Sequence, residues 1–158
     1  MPVREADLND LQDVVRISLE SLDFGPYKEI VKRSPQHAEA LVNRLLTGTD
    51  GVVLVSETNG NIDGVFAFIV FPHFYSGEMT AGELIWYVTA EARTMHSFGD
   101  SIAFDLLSAG EKKAAKMGAK VMQLGAPSEL VGKLYQRRGY TQVEVTYRRE
   151  ITCPLQLA

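Results

Sequence analysis

Residues 82–107 read GELIWYVTAEARTMHSFGDSIAFDLL, and the reading of this stretch decides how the chain is organised. Gly82 to Thr89 is rich in aromatic and branched residues, as strands are. Its apolar residues are consecutive, not alternate, which predicts a central strand covered on both faces. A helix follows over 99–117, with Lys112, Lys113 and Lys116 near its end, where cations offset the dipole, and Gly118 as its stop. Between strand and helix lies a loop, 93–99, containing Arg93, small residues and Gly99. A loop feeding a helix N-terminus suits an anion, because the first backbone N–H groups are unpaired and the dipole is positive there. Asp100 opposes that reading. A carboxylate at a helix start contributes about 0.3–1 kcal/mol through capping and dipole, yet it repels a phosphate. The loop lacks both GxxxxGK[ST] and the three-glycine dinucleotide pattern. On its own residues, the ordinary strand-to-helix turn prevails.

Upstream, residues 3–5 form a candidate strand ahead of Asp7, a candidate N-cap. Leu8, Leu11, Val15, Leu19 and Leu22 then recur at helical spacing. Gly25-Pro26 breaks this helix. A second helix begins at Ser34-Pro35, serine as cap and proline in the first turn, with Ala38, Leu41, Val42, Leu45 and Leu46 as its stripe. GVVLVSE and IDGVFAFIVF flank Asn59-Gly60-Asn61, which predicts a hairpin. Downstream, KVMQLG is a strand and Ser128 caps a short helix through Arg138. Gly139-Tyr140 leads to a last strand over about residues 141–151. This order of elements predicts one α/β (α+β) domain, residues 1–158, built on a mixed sheet.

The 158 residues are 46% hydrophobic with formal charge −4, ordinary for one globular domain. The 16 basic residues are dispersed, so no nucleic-acid-binding face is expected. The charged start MPVREADLND is unlike a signal peptide, and no apolar run approaches the ~20 residues of a membrane span. A soluble cytoplasmic protein without membrane association is expected. Cys153 is the single cysteine, and no two of the three histidines have metal-ligand spacing, so no metal is expected.

The element order, WYVTAEAR…SFGDSI and LYQRRGY together resemble the GCN5-related N-acetyltransferase (GNAT) family over essentially the whole chain. The resemblance implies a mixed, mostly antiparallel sheet of six to seven strands flanked by about four helices. It implies acetyl-coenzyme A as acyl donor and a primary amine, on a small molecule, peptide or protein, as acceptor. Tyr87, Val88 and Thr89 would pair their backbone with pantetheine. The pyrophosphate would lie over Thr94 to Gly99, in a loop of family pattern [Q/R]-x-x-G-x-[G/A]. Arg93, His96, Ser97, Phe98, Asp100 and Ser101 complete the implied cofactor site. Ser97 takes the place of the first family glycine, and Arg93 lies one residue too far upstream. Asp100 stands where the family often has a cation. The loop is therefore divergent, as it is in some phage-encoded members.

Tyr135, in Tyr135-Gln-Arg-Arg-Gly139-Tyr140, matches the family tyrosine that protonates the departing thiolate. Its alternative role is to pack the helix onto the sheet. Glu83 is the candidate general base, acting on the incoming ammonium through water, and shares a strand face with Ile85 and Tyr87; it reads equally as a solvated strand end. His73 reads as an ordinary loop histidine, Ser128 as a cap, and Cys153 as no nucleophile. Homodimers are common in the family, while nothing in the sequence specifies an interface. Two functions compete: an acyltransferase working by direct transfer in a ternary complex, and a catalytically weakened GNAT fold acting through protein contacts. Asp100 favours the second and Tyr135 the first.

Overall fold

The structure, a computed structural model, describes residues 3–95 and 99–151. The chain forms two compact units, Met1–Gly125 and Ala126–Ala158. In the first, strands β1 (Val3–Glu5), β2 (Gly51–Thr58), β3 (Asn61–Pro72), β4 (Met79–Val88) and β5 (Val121–Gln123) form one sheet in that order. The first three pairings are antiparallel and β4–β5 is parallel. Helices α1 (Leu11–Phe24), α2 (Pro35–Thr47), α3 (Ala90–Met95) and α4 (Gly99–Lys116) complete this unit, and α5 (Glu129–Arg137) belongs to the second.

Local chemistry fixes the first turns. Asp7 accepts from Asn9 N at 2.7 Å and Asp10 accepts from Asp7 N at 2.8 Å, a reciprocal cap on the 3-10 turn Leu8–Asp10. Arg4 grips both Asp10 oxygens, at 2.7 and 2.9 Å, and reaches Glu57 at 2.8 Å. This pairing holds the Asp10 carboxyl below the usual carboxylate range, burial acting against it. It ties β1, β2 and the entry to α1 together. Ser34 caps α2 with Pro35 in its first turn. Asn59 and Gly60 adopt φ of 53° and 81°, the left-handed pair that a two-residue hairpin requires.

Opposite faces of β3 meet different helices. Val65 and Ala67 join Val53, Val55, Val14, Val15, Ile17, Val42 and Leu45 in a core beneath α1 and α2. On the other face, α4 lies so close that a Cβ on Gly64 would sit 2.9 Å from Leu106 Cδ1. A Cβ on Gly110 would sit 2.2 Å from the Phe66 ring. These two glycines seat α4 flush on β3. Trp86 Nε1 then donates to Ala103 O at 3.1 Å, fixing α4 against β4.

Several sequence expectations are corrected. The described residues contain five strands and five α-helices, not six to seven strands and about four helices. Residues 141–151 form no strand and are exposed: they have the alternation of a strand but no ladder partner among the described residues. The central strand, buried almost continuously from Ile62 to Val70, is β3, whereas on β4 residues 83 and 85–87 are only partly buried and Leu84 is exposed. The buried stripe of α1 is Val14, Val15 and Ile17, with Leu8 exposed. Residues 90–95, expected to lead through a loop from residue 93, are helical.

Candidate active site

β4 and β5 part company early. Their ladder runs from Thr80↔Val121 to Gly82↔Gln123 and stops there. On its other edge, β4 pairs with β3 along its whole length, with one irregularity: Ala67 faces Ile85 but Phe68 faces Glu83, so Leu84 is an inserted bulge. A bulge bends and twists its strand, and here it coincides with the point where β5 leaves. The backbone of 84–88 therefore faces the β5 side with no strand paired to it among the described residues. The insertion also breaks the simple alternation that put Glu83 on one face with Ile85 and Tyr87.

Glu83 stands at the fork. Its Oε2 accepts from Gly125 N at 2.9 Å, just beyond the end of β5. Burial pushes its carboxyl up to about 7, with the Gly125 hydrogen bond acting in the opposite direction. A carboxyl tuned to neutrality both takes and gives a proton under ordinary conditions, which a solvated strand-end glutamate does not.

At the far end of the open edge, side chains from three elements converge. Tyr87 OH donates to Glu20 Oε1 at 3.1 Å, and the same oxygen accepts from Ala90 N at 3.1 Å. Arg93 Nη2 donates to Tyr87 OH at 3.0 Å. The Arg93 guanidinium lies over the rings of Tyr87 (5.1 Å) and Phe24 (5.6 Å), which stack on one another. Burial raises the Tyr87 phenol above its usual range, and the Arg93 charge partly offsets this. Glu20 thus links α1 to the start of α3. Neither Glu20 nor Phe24 stood out in sequence. One signal was there: Glu20 lies three residues beyond the buried Ile17, and so on the inward side of α1.

No family model matches the chain. A curated Bacillus subtilis protein, described as the uncharacterized N-acetyltransferase YhfO, is 27% identical over 148 residues, spanning 90% of this chain and 91% of that protein. A mutant of the BH1408 protein from Bacillus halodurans has TM-score 0.76 at 15% identity, covering 96% of this chain and all of the other, 100%. AAC(6')-Iy, in complex with a bisubstrate analog, has TM-score 0.73 at 13% identity over 96% of this chain and 98% of its own. An aminoglycoside acetyltransferase from an uncultured soil metagenomic sample, in complex with sisomicin, has TM-score 0.70 at 18% identity over 96% and 95%. The chain has the GNAT fold. Its similarity to N-acetyltransferases supports an acyltransferase enzyme.

Within this GNAT fold the remaining candidate residues take the following places. Val88 and Thr89 are buried. Thr89 N donates to Asp63 O at 2.8 Å, and its Oγ1 accepts from Ala92 N at 3.3 Å, so Thr89 caps α3. Arg93 and Thr94 lie on α3, and Thr94 Oγ1 donates to Glu91 O at 2.8 Å. His96, Ser97 and Phe98 lie outside the described residues. The backbone of Gly99, Asp100 and Ser101 forms the first turn of α4, and the question about the Asp100 carboxylate falls outside the described side chains. In the second unit, Ser128 caps α5 by accepting from Val131 N at 3.3 Å. Tyr135 is buried, its ring 6.0 Å from that of Tyr140. Gly139, at φ 91°, turns the chain so that Tyr140 N reaches Tyr135 O at 3.1 Å. His73 belongs to the β3–β4 turn, where its Nδ1 accepts from Tyr75 N at 3.4 Å. Among the described residues no cluster of three or more His, Cys, Asp or Glu could hold a metal ion, and no helix is long and apolar enough to cross a membrane.

Proposed function

We propose that this chain is an N-acetyltransferase that moves an acetyl group from acetyl-coenzyme A directly to a primary amine within a ternary complex. The observation that carries this reading is the fork between β4 and β5: an unpaired strand edge beside a carboxyl tuned to about 7. Pantetheine carries amide groups, and an open strand edge offers them N–H and C=O partners. The cofactor arm lies along Leu84 to Val88. The Thr89 N–H, already given to Asp63, holds the strand end in place. The pyrophosphate lies at residues 96–101 against the first amides of α4, with Arg93 and Thr94 flanking it.

In the reaction, the amine nitrogen attacks the thioester carbonyl carbon. The N–C bond forms as the C–S bond breaks, and the electron pair leaves on sulfur. Glu83 takes the proton that the ammonium must lose before attack, directly or through one water. Tyr135 gives its phenolic proton to the thiolate, as the family resemblance implies, and the second proton, shed by the nitrogen as the amide forms, restores the phenol through solvent. A positioned acid or base of this kind is worth about 10²–10⁴-fold in rate.

The competing reading, a GNAT module that binds proteins and has lost efficient transfer, draws on the Arg93 guanidinium being engaged over the Phe24 and Tyr87 rings. Titration calorimetry with acetyl-coenzyme A, followed by assay of coenzyme A release across a panel of amines, tests the proposal. Binding with amine-dependent release supports it. Absence of binding to the folded protein overturns it in favour of the module.

A further inference from the structure

The two halves of α1 have different uses. Val14, Val15 and Ile17, in the first half, anchor it in the core. In the second half, Ser18 and Ser21 turn their hydroxyls back onto the helix, to Val14 O and Ser18 O, both at 2.7 Å. Glu20 instead reaches two elements that follow it by 67 and 70 residues, through one carboxylate oxygen: Tyr87 OH on β4 and Ala90 N on α3. Phe24 lies one turn further along the same face of α1. Its ring is 6.2 Å from that of Tyr87 and lies under the Arg93 guanidinium. Glu20 and Phe24 on one helix thus meet Ala90 and Arg93 on the other, and Tyr87 is shared by both pairs.

Support of this kind matters to α3, whose six residues are too few for a helix to hold by itself in water. Within its own segment, Ala92 N donates to Thr89 Oγ1 and Arg93 N to Thr89 O. Ala90 N is satisfied from α1, and a carboxylate there also suits the positive end of the helix dipole. α3 leads to the start of α4, and Tyr87 belongs to the open stretch of β4. We propose that Glu20 is a positioning residue for acyl-donor binding: its shared oxygen sets α3 against the end of β4. Donor affinity depends on that placement, whereas the core under Val14, Val15 and Ile17 does not. The inference rests on the acyltransferase reading above. The rival role for Glu20 is electrostatic, since a carboxylate near an anionic donor repels it. The two roles predict opposite effects of removing the side chain: weaker donor binding for positioning, tighter for repulsion.

Titration calorimetry with acetyl-coenzyme A compares the parent with Glu20→Ala, Glu20→Gln and Phe24→Ala, and amide hydrogen exchange on the full chain gives a second readout. Glutamine keeps an oxygen that accepts from both Tyr87 OH and Ala90 N and removes only the charge. Glu20→Ala is expected to weaken binding about tenfold, and Glu20→Gln to stay within about twofold of the parent. Exchange in Glu20→Ala should quicken at residues 90–94 and stay as in the parent across β2 and β3. Phe24→Ala changes a side chain that is 61% exposed, so the core stays intact; binding should weaken about threefold as Arg93 loses a ring. Three results would overturn the proposal: Glu20→Ala binding as tightly as the parent or more tightly, Glu20→Gln as weak as Glu20→Ala, or lost protection that spreads through β2 and β3. Each of these leaves the acyltransferase reading standing. A folded parent that binds no acetyl-coenzyme A overturns that reading and this inference with it.

Discussion

The two edges of β4 have opposite fates. Toward β3 the strand is laddered from Met79 to Val88, interrupted once by Leu84. Toward β5 it is laddered over three residues and then left open. One edge is given to the core, and the other, unpaired beyond Gly82 among the described residues, is the one on which the proposed cofactor site rests. Residues on the closed side should therefore govern stability with little effect on the chemistry, and residues on the open side the reverse.

The sharpest test of that contrast is Glu83→Gln. Glutamine keeps an acceptor for Gly125 N and removes the base, so turnover should fall about 10²-fold with cofactor affinity nearly unchanged. In the parent, the rate should rise through about pH 7 to a plateau as Glu83 loses its proton; the variant should lack that limb. Stability should move the other way. The folded carboxyl sits at about 7, above its ordinary 4.5, so the folded state holds this proton more tightly than the unfolded chain. Its stabilising contribution is complete below pH 4.5 and lost as pH rises through 7. Urea unfolding should thus show Glu83→Gln gaining on the parent at pH 8 relative to pH 4. A flat difference would return Glu83 to the role of a solvated strand end.

On the closed side, Gly110→Ala places a methyl group 2.2 Å from the buried Phe66 ring. Overpacking of this kind costs about 1–3 kcal/mol, more than the ~1 kcal/mol that alanine contributes through helix propensity. The urea midpoint should fall while the folded fraction binds acetyl-coenzyme A as before. Loss of binding with stability intact would mean that the seat of α4 belongs to the site.

Tyr135→Phe keeps the packing against Tyr140 and deletes only the proton. Turnover should drop about tenfold or more at unchanged cofactor affinity, measured where chemistry limits the rate. Parity with the parent would make Tyr135 a packing residue.

The smallest effect is expected at Asp100. Asparagine caps about as well as aspartate, so if the Asp100 carboxylate faces the pyrophosphate, Asp100→Asn should retain much of the cap and remove an opposing charge. After screening, such a charge is worth about 1 kcal/mol, a several-fold gain in affinity that shrinks as salt rises. Weaker binding would mean that the carboxylate organises the loop amides.

What was legible in the sequence was local. Asn59-Gly60 marked the hairpin because its dihedral angles favour those residues, and Ser34-Pro35 marked a helix start because cap and proline act within one turn. The fork at Glu83 was not legible. Nothing in GELIWYV marks Leu84 as an extra residue, since the insertion is defined only against Ala67 and Phe68 across the ladder. The short helix α3 was hidden by the expectation of a loop, although Thr89 as cap and Ala-Glu-Ala-Arg as strong helix formers spelled it out. The last strand expected over 141–151 does not form among the described residues: its alternation is that of a strand, but a strand pattern does not name its partner.

The neutral-range carboxyl at the fork also has a calorimetric consequence. With its carboxyl at about 7, Glu83 is partly protonated around neutrality. A cationic amine seated beside that carboxylate favours its ionised form and expels the proton into the medium. Acceptor binding would then carry a heat that changes with the ionisation enthalpy of the buffer, and the proton count from a buffer series would be largest near neutrality. Acceptor recognition and proton release are, on this account, one event recorded in two ways.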